Sequence, residues 1–264
     1  MPAWRLLIDG PADGAWNMAV DRAVLRARAE GTAPPTLRLY WWRVPTVSLG
    51  RFQSLGGVDL QACREFGFDV VRRPTGGRGV LHDSELTYSI VASVDDGIPR
   101  GVAASYRRLC GALAEAYRTL GVEAALTARS RGERSAACYL HATQADLSLG
   151  AAKLSGSAQV WDGSALLQHG SFVIDRDVAA ESRVFRLDEG ARHALIEQTA
   201  TLAGALGRVP TRDEIAAAVM RAVAGAFAVE VEPGVLSRGE MIDAERLVRN
   251  FTISGQDGEV SRST

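Results

Sequence analysis

The chain has 264 residues, a formal net charge of −1 and 47% hydrophobic residues. This length fits one large domain, or one domain with a small appendage, and the hydrophobic content is sufficient for a sizeable core. The near-zero charge gives no global signal for nucleic acid or a membrane surface, and no apolar run approaches the roughly 18–20 residues of a membrane span.

The three cysteines, Cys63, Cys110 and Cys138, are widely spaced and form no CxxC pair. This pattern argues against a disulfide framework and against a zinc site. The N-terminal residues lack the charged and apolar regions of a signal peptide. We therefore expect a cytoplasmic protein without a bound metal ion and without a nucleic-acid or membrane partner.

Apolar periodicity predicts a mixture of strands and helices in the first 120 residues. The predicted strands are 4–9, 36–41, 45–49, 68–73 and 85–94, and the predicted helices are 15–30, 57–66 and 102–120. The last third predicts helices at 188–206, 212–227 and 239–250, the second of which opens with the capping box TRDE. Because strands and helices do not alternate regularly, we predict an α+β fold with a mixed, largely antiparallel sheet flanked by helices.

A hairpin is predicted where AAKLSGSAQVW is followed by Asp162-Gly163 and SALLQHGSFVID. A two-residue Asp-Gly turn would set Trp161 opposite Ser164 and Ser157 opposite Gln168. A single strand through this segment would then carry Lys153, Ser155, Ser157 and Gln159 on one polar face. This face is typical of a substrate groove, but an ordinary half-exposed hairpin has the same pattern.

The segment RRPTGGRGVLHD, residues 72–83, is the first candidate site. Its paired glycines follow a predicted strand, and such glycines allow close approach of the backbone to a ligand. It is neither GxGxxG nor a P-loop, and a glycine-rich strand connection is the alternative interpretation. His82 is a supporting candidate in the same segment.

Cys138 is a candidate nucleophile because the segment before it is basic. Arg129, Arg131 and Arg134 precede it against one acidic residue, Glu133. A positive neighbourhood favours the thiolate, which is the reactive form of cysteine. A half-buried structural cysteine is the alternative, and that is the interpretation we favour for Cys63 and Cys110, which lie on apolar helix faces.

Lys153 is the one lysine among 30 basic residues, and the other 29 are arginine. Arginine is never usefully deprotonated, whereas lysine can act as an acid, a base or a nucleophile. A surface lysine left by chance is the alternative.

Four motifs in order, RRPTGGRGVLHD with ELTYS, then ACY, then KLSGSAQ, then LLQHGSFVID, resemble the lipoate–protein ligase A and octanoyltransferase family, whose fold is shared with biotin protein ligase. The resemblance covers about residues 4–250. It implies one catalytic domain over 1–250, helical from about 188, and we expect residues 251–264 to be a disordered tail. It departs from the family in having Gly79 where alanine is common.

The resemblance is nearest to the cysteine-dependent octanoyl-[acyl-carrier-protein]:protein N-octanoyltransferase. ACY at 137–139 matches that group's nucleophile, GGRGVLHDSELTYS is close to its glycine motif, and the chain leaves no room for the accessory domain of the ATP-using ligases. The alternatives are an ATP-dependent lipoate–protein ligase and an amidotransferase that moves octanoyl between lipoyl-domain proteins. A catalytically silent binding protein on this scaffold is the alternative from another class.

The implied mechanism passes an octanoyl group from acyl carrier protein to Cys138 as a thioester, and then to a lysine of a lipoyl-domain protein, for lipoate biosynthesis. The acceptor would be a protein such as glycine cleavage H protein or a 2-oxoacid dehydrogenase E2. Lys153 would polarise the acyl carbonyl and manage protons, and neither ATP nor a cofactor is expected. The implied substrate-binding residues are Arg73, Thr75, Gly76, Gly77, His82, Gly156, Ser157 and Ala158, and the carrier docking residues are Arg129, Arg131 and Arg134.

Overall fold

Strands and helices follow one another irregularly along the part of the chain that the computed structural model describes, residues 2–127, 131–132, 135–142 and 146–253. The strands β1 to β14 are Ala3–Ala12, Thr36–Trp42, Thr46–Leu49, Asp69–Arg72, Val80–His82, Glu85–Ser93, Ala124–Leu126, Arg131–Gly132, His141–Ala142, Leu147–Leu149, Ala152–Ser155, Ser157–Asp162, Ala165–Val173 and Glu230–Pro233. The helices α1 to α8 are Gly14–Ala29, Leu60–Phe66, Val102–Thr119, Val178–Val184, Glu189–Glu197, Leu202–Leu206, Arg212–Phe227 and Arg238–Leu247.

The main sheet has six strands in the order β12-β13-β6-β2-β1-β14. The pairs β12/β13, β13/β6 and β6/β2 are antiparallel, whereas β1 is parallel to both β2 and β14. Smaller sheets have the orders β11-β10-β7 and β4-β3-β5, and β8 pairs with β9. The predicted α+β class with a mixed, largely antiparallel sheet is confirmed.

Helices cover both faces of the main sheet, so its central strand β6 is buried along its whole length. Tyr88 and Ile90 of β6 pack in one apolar cluster with residues of α3 and α7, and Val91 packs in a second cluster with residues of α1. A third cluster joins the small β3 sheet to α2 and α4 and includes Tyr139. Burying apolar surface on both sides holds the strands that carry the site in fixed positions.

The predicted register of the hairpin is wrong. Trp161 pairs with Leu166 and Gln159 with Gln168, so the two loop residues are Gly163 and Ser164. Gly163 has φ of 60°, and glycine at the first loop position is typical of a type II′ turn. The observed partner of each β12 residue lies two positions farther along the chain than the predicted one. Because side chains alternate between faces with a period of two, each side chain stays on its predicted face.

The prediction of a single strand through Lys153 is also wrong, because Gly156 separates two strands, β11 and β12. β11 belongs to the small sheet with β10, whereas β12 belongs to the main sheet. Lys153 therefore lies in the space between two sheets instead of on one open face.

The predicted helix 188–206 is interrupted at residues 198–201, which separates α5 from α6. The backbone of β11 pairs with this interruption, since Lys153 N donates to Gln198 O and Ala200 N donates to Lys153 O. The sequence reading also missed β14, which pairs with β1 at the edge of the main sheet. An edge strand tolerates Pro233, which cannot donate a ladder hydrogen bond.

Residues 251–253 lie beside β4, where Arg72 N donates to Phe251 O and Ile253 N donates to Val70 O. The rest of the predicted tail, residues 254–264, lies outside the described residues. The single domain over 1–250 stays a prediction. None of the helices in the described ranges is long and apolar enough to cross a membrane.

Candidate active site

The structure brings Cys138 and Lys153 together. Lys153 Nζ lies 3.5 Å from Cys138 Sγ and donates hydrogen bonds to the carbonyl oxygens of Cys138, at 3.0 Å, and His141, at 2.8 Å. The Lys153 side chain is only 1% exposed, so the interpretation as a surface lysine is wrong. Cys138 is half-buried.

Backbone hydrogen bonds fix the position of Cys138. Cys138 N donates to Gly79 O and Gly79 N donates to Ala136 O, which ties the cysteine segment to the end of the glycine loop. A side chain at Gly79 would meet the Phe185 ring at 2.5 Å, so this close approach requires glycine. Glycine at position 79, where the resemblance led us to expect alanine, therefore has a steric reason in this chain.

Asp146 is the residue that sequence reasoning missed. Its Oδ2 lies 3.1 Å from Lys153 Nζ, and both side chains are buried. Asp146 directly precedes β10, and the antiparallel pairing of β10 with β11 brings it across to the lysine. Gly156 lies beside the pair, where a Cβ would meet the Asp146 carboxylate at 3.4 Å and Lys153 Nζ at 3.5 Å.

Three oxygen atoms and one sulfur atom surround Lys153 Nζ. An ammonium has three N–H donors, and three oxygen acceptors surround it: two backbone carbonyls and the Asp146 carboxylate. The sulfur of Cys138 is the fourth neighbour.

The glycine loop 74–79 is held by Arg73. Its guanidinium donates to the carbonyl oxygens of Ser48, Gly76 and Arg78 at 2.7–3.1 Å. Gly77 has φ of 95°, a conformation that favours glycine. Arg73 thus stabilises the conformation of the glycine loop through hydrogen bonds to its backbone carbonyls.

Two buried chains of hydroxyl, imidazole and carboxylate lie beside the loop. Ser48 Oγ is 2.7 Å from His82 Nε2, and His82 Nδ1 is 2.8 Å from Glu85 Oε1. Both ring nitrogens of His82, the supporting candidate, therefore have hydrogen-bond partners that fix the orientation of its ring. Trp42 stacks on the His82 ring, with 4.1 Å between centroids.

The second chain runs through His169. Thr75 Oγ1 lies 2.7 Å from His169 Nε2, and His169 Nδ1 lies 3.0 Å from Asp21 Oδ2. Burial lowers the pKa of His169, with the Asp21 carboxylate offsetting only part of the effect. Burial would raise the pKa of Asp21, but the hydrogen bond from His169 and the charge of Arg38 outweigh it, so that pKa is lowered. His169 is therefore neutral near pH 7, and Asp21 is ionised.

A narrow cavity opens at Cys138. Six of the predicted substrate-binding residues line it: Arg73, Gly77, His82, Gly156, Ser157 and Ala158. Thr75 and Gly76 do not line it, since Thr75 is fully buried against His169 and Gly76 supplies a carbonyl to Arg73. Apolar side chains form much of the wall: Met18, Tyr40, Trp42, Val80 and Tyr139. Ligand binding by these residues stays a prediction.

The other two cysteines are unsuited to nucleophilic chemistry. Burial raises the pKa of the Cys63 thiol to about 11 and that of the Cys110 thiol to about 12. A wider groove of about 760 Å³ runs beside Cys63, but a thiol with such a pKa is protonated at neutral pH.

The predicted docking arginines are not placed by the structure. Arg129 and Arg134 lie outside the described residues, and only the backbone of Arg131, in β8, is described. Among the described residues, no group of three or more histidine, cysteine or acidic side chains is arranged to hold a metal ion.

Residues 13–224 match the family model described as Lipoyl protein ligase A/B catalytic domain. The chain belongs to this family. The resemblance predicted from the four motifs is confirmed. A curated relative from Symbiobacterium thermophilum, named Octanoyltransferase LipM, is 42% identical over 258 residues, covering 93% of this chain and 94% of the relative.

Solved structures share the fold. The crystal structure of a lipoate-protein ligase A bound with ATP has a TM-score of 0.79 and 25% identity, covering 94% of this chain and 95% of that one. A bi-partite lipoate protein ligase from Thermoplasma acidophilum, studied with its E2 lipoyl domain, has a TM-score of 0.78 and 25% identity, covering 94% and 93%. The family fold therefore extends over nearly the whole chain.

Proposed function

We propose that this protein is an octanoyltransferase in which Cys138 carries the octanoyl group as a thioester. The observation that carries the proposal is that the buried Lys153 Nζ lies 3.5 Å from the Cys138 sulfur. The prediction of an acyltransferase is confirmed by the relative named Octanoyltransferase LipM. The thioester intermediate, the carrier-protein donor and the particular acceptor belong to the proposal.

In the first step the Cys138 thiolate attacks the carbonyl carbon of an octanoyl thioester on acyl carrier protein. A carbon–sulfur bond forms to Cys138, and the bond to the donor's sulfur breaks. The donor leaves as a thiol after taking up the proton that Cys138 gave up. Lys153 lies close enough to the sulfur to pass this proton and to hold the developing charge on the carbonyl oxygen.

In the second step a lysine amine of the acceptor protein attacks the thioester carbonyl. A carbon–nitrogen bond forms, the carbon–sulfur bond to Cys138 breaks, and the amine proton returns to the sulfur. Conversion of a thioester to an amide is downhill, so the transfer needs no ATP. The pairing of the Thermoplasma ligase with an E2 lipoyl domain supports a lipoyl-domain acceptor.

The octanoyl tail would enter the cavity beside Cys138. Burial of its apolar surface stabilises the complex by about 25 cal/mol per Å², and Met18, Trp42 and Val80 supply apolar wall.

The test is to mix the protein with octanoyl–acyl carrier protein without ATP and measure its mass. We expect one octanoyl adduct that hydroxylamine removes. The adduct should be absent in Cys138→Ala and retained in Cys63→Ala, which removes a buried thiol elsewhere. Transfer of the adduct to a lipoyl domain completes the test.

The nearest rival, an ATP-dependent lipoate–protein ligase, gives a different result in the same assay. The ligase would form no adduct from the carrier thioester and would exchange pyrophosphate in the presence of ATP and lipoate. Its activity would survive in Cys138→Ala. That combination of results would replace the transferase proposal with the ligase.

A further inference from the structure

Phe52 is the most exposed of the large hydrophobic side chains in the described part of the chain, at 87%. The guanidinium of the neighbouring Arg51 lies 5.3 Å from the centre of its ring. One exposed apolar side chain is common on protein surfaces and means little by itself. The way the backbone beneath Phe52 is held is what distinguishes this residue.

The loop 50–53 is fixed by hydrogen bonds on both sides of Phe52. Arg72 Nη1 donates to the carbonyl oxygens of Gly50, Arg51 and Gln53, at 2.8, 3.2 and 2.8 Å. Arg51 N donates to Thr75 O. The loop therefore presents an aromatic ring to solvent on a constrained backbone, and a preorganised anchor loses less entropy when a partner covers it.

The same loop lies against the two segments that form the candidate site. Gln53 Nε2 donates to the carbonyl of Ala136, two residues before Cys138, at 3.0 Å. Gly50 approaches the glycine loop so closely that a Cβ there would meet Gly77 O at 2.0 Å. Gly77 lines the cavity together with Cys138. The loop that presents Phe52 is therefore joined to both the cysteine segment and the glycine loop.

We infer that Phe52 and Arg51 form the contact surface for the acceptor protein, the one that presents the lysine to be modified. This inference rests on the proposed function. Aromatic and arginine side chains are enriched among the residues that dominate binding at protein interfaces. Arg51 adds a positive charge that suits an acceptor with acidic residues around its target lysine.

The reach of the two substrates favours the acceptor over the donor. A lysine amine stands only about 6 Å from its own Cα, given bond lengths near 1.5 Å. The body of the acceptor must therefore press against the rim of the site for its amine to meet the thioester. The donor carries its acyl group on a long prosthetic arm, so its body can dock farther from Cys138.

The experiment separates the two half-reactions in Phe52→Ser and Arg51→Glu. Acylation of Cys138 is followed with octanoyl–acyl carrier protein, and deacylation is followed with a lipoyl domain or with hydroxylamine. We expect the KM for the lipoyl domain to rise about tenfold in Phe52→Ser. Acylation and hydroxylamine deacylation should match the unsubstituted protein, because neither needs the acceptor surface.

Val235→Ser is the matched control. Val235 is 80% exposed and follows β14, at the edge of the main sheet opposite β12. Loss of an exposed apolar side chain there should leave the KM for the lipoyl domain unchanged. Arg51→Glu should also reduce the salt dependence of the lipoyl-domain step, because it removes a positive charge from the contact.

Two results would overturn the inference. In one, Phe52→Ser slows acylation by the carrier and leaves the lipoyl-domain step unchanged, which would assign the surface to the donor. In the other, neither half-reaction changes. If the unsubstituted protein takes no octanoyl group, the proposed function fails, and direct binding of the lipoyl domain to the Cys138→Ala protein with and without Phe52→Ser still decides the docking surface.

Discussion

Lys153 and Asp146 form a buried ion pair, with 3.1 Å between Nζ and Oδ2, directly beside the sulfur of Cys138. Together with the carbonyl oxygens of Cys138 and His141, the pair fixes the position of Lys153 Nζ. Lys153 was a candidate from the sequence, whereas Asp146 was identified only from the pairing of β10 with β11.

Asp146→Asn should destabilise the protein and reduce octanoyl transfer. Removing one member of a buried ion pair leaves the other charge uncompensated, at a cost of about 3–5 kcal/mol. The free energy of unfolding in urea measures the first effect, and adduct formation at Cys138 measures the second. Asp162→Asn breaks the exposed pair with Arg22 and should cost less than about 1 kcal/mol. Equal effects of the two substitutions would contradict the role of burial.

Lys153→Arg should severely reduce transfer while the protein remains folded. Arginine keeps the positive charge but cannot exchange a proton with a thiol or an incoming amine. The rate of adduct formation and a thermal unfolding curve give the two measurements. Near-normal transfer by the folded variant would remove Lys153 from the proton-transfer step.

Alkylation at neutral pH should modify Cys138 first. Burial raises the pKa of Cys63 to about 11 and that of Cys110 to about 12, so both remain protonated thiols. Mass spectrometry of the protein after brief treatment with iodoacetamide should show one rapid adduct, located at Cys138 by peptide mapping. Rapid labelling of Cys63 or Cys110 in the folded protein would contradict this assignment.

Gly50→Ala should reduce transfer by displacing the glycine loop. A Cβ at position 50 would meet Gly77 O at 2.0 Å, and that backbone oxygen cannot give way without moving the cavity wall. Gly56→Ala is the control, because its Cβ would meet nothing within 4 Å and its φ is not in the left-handed region. The comparison to make is the rate of adduct formation in the two folded variants, with Gly56→Ala close to the unsubstituted protein.

Stability should fall as the pH is lowered below about 6.5, in part because of His169. Burial lowers the pKa of His169 from its usual 6.5. Between the lowered pKa and 6.5 the unfolded chain binds more protons than the folded one, so the free energy of unfolding rises with pH in this window. The lowered pKa of Asp21 acts only at more acidic pH, below its usual 3.8.

His169→Gln should flatten this dependence of stability on pH, even though it also removes hydrogen bonds to Thr75 and Asp21. The measurement is the urea midpoint at several pH values from 5 to 7. His193→Gln removes an exposed histidine from α5 and is the control. An unchanged slope in His169→Gln would show that another group controls stability in this range.

The elements with strong local periodicity could be predicted from the sequence. Helix α1, helix α3 and strand β6 lie within one residue of their predicted bounds, since each carries an apolar pattern that matches its own period. The hairpin register could not be read from Asp162-Gly163, because two overlapping turns fit this segment and tertiary pairing selects between them. The predicted helix 188–206 is two helices in the structure, because the backbone between them forms hydrogen bonds with β11.

The sequence by itself determined the family and the α+β class and singled out Cys138 and Lys153 as the candidate catalytic side chains, because each depends on residue type or local spacing. Only the tertiary structure decided that these two side chains meet, that Asp146 neutralises the lysine, and that His169 joins Thr75 to Asp21, which is 148 positions away. Such contacts depend on the packing of sheets and helices that are distant in the chain, and no local pattern encodes which polar groups this packing will bring together.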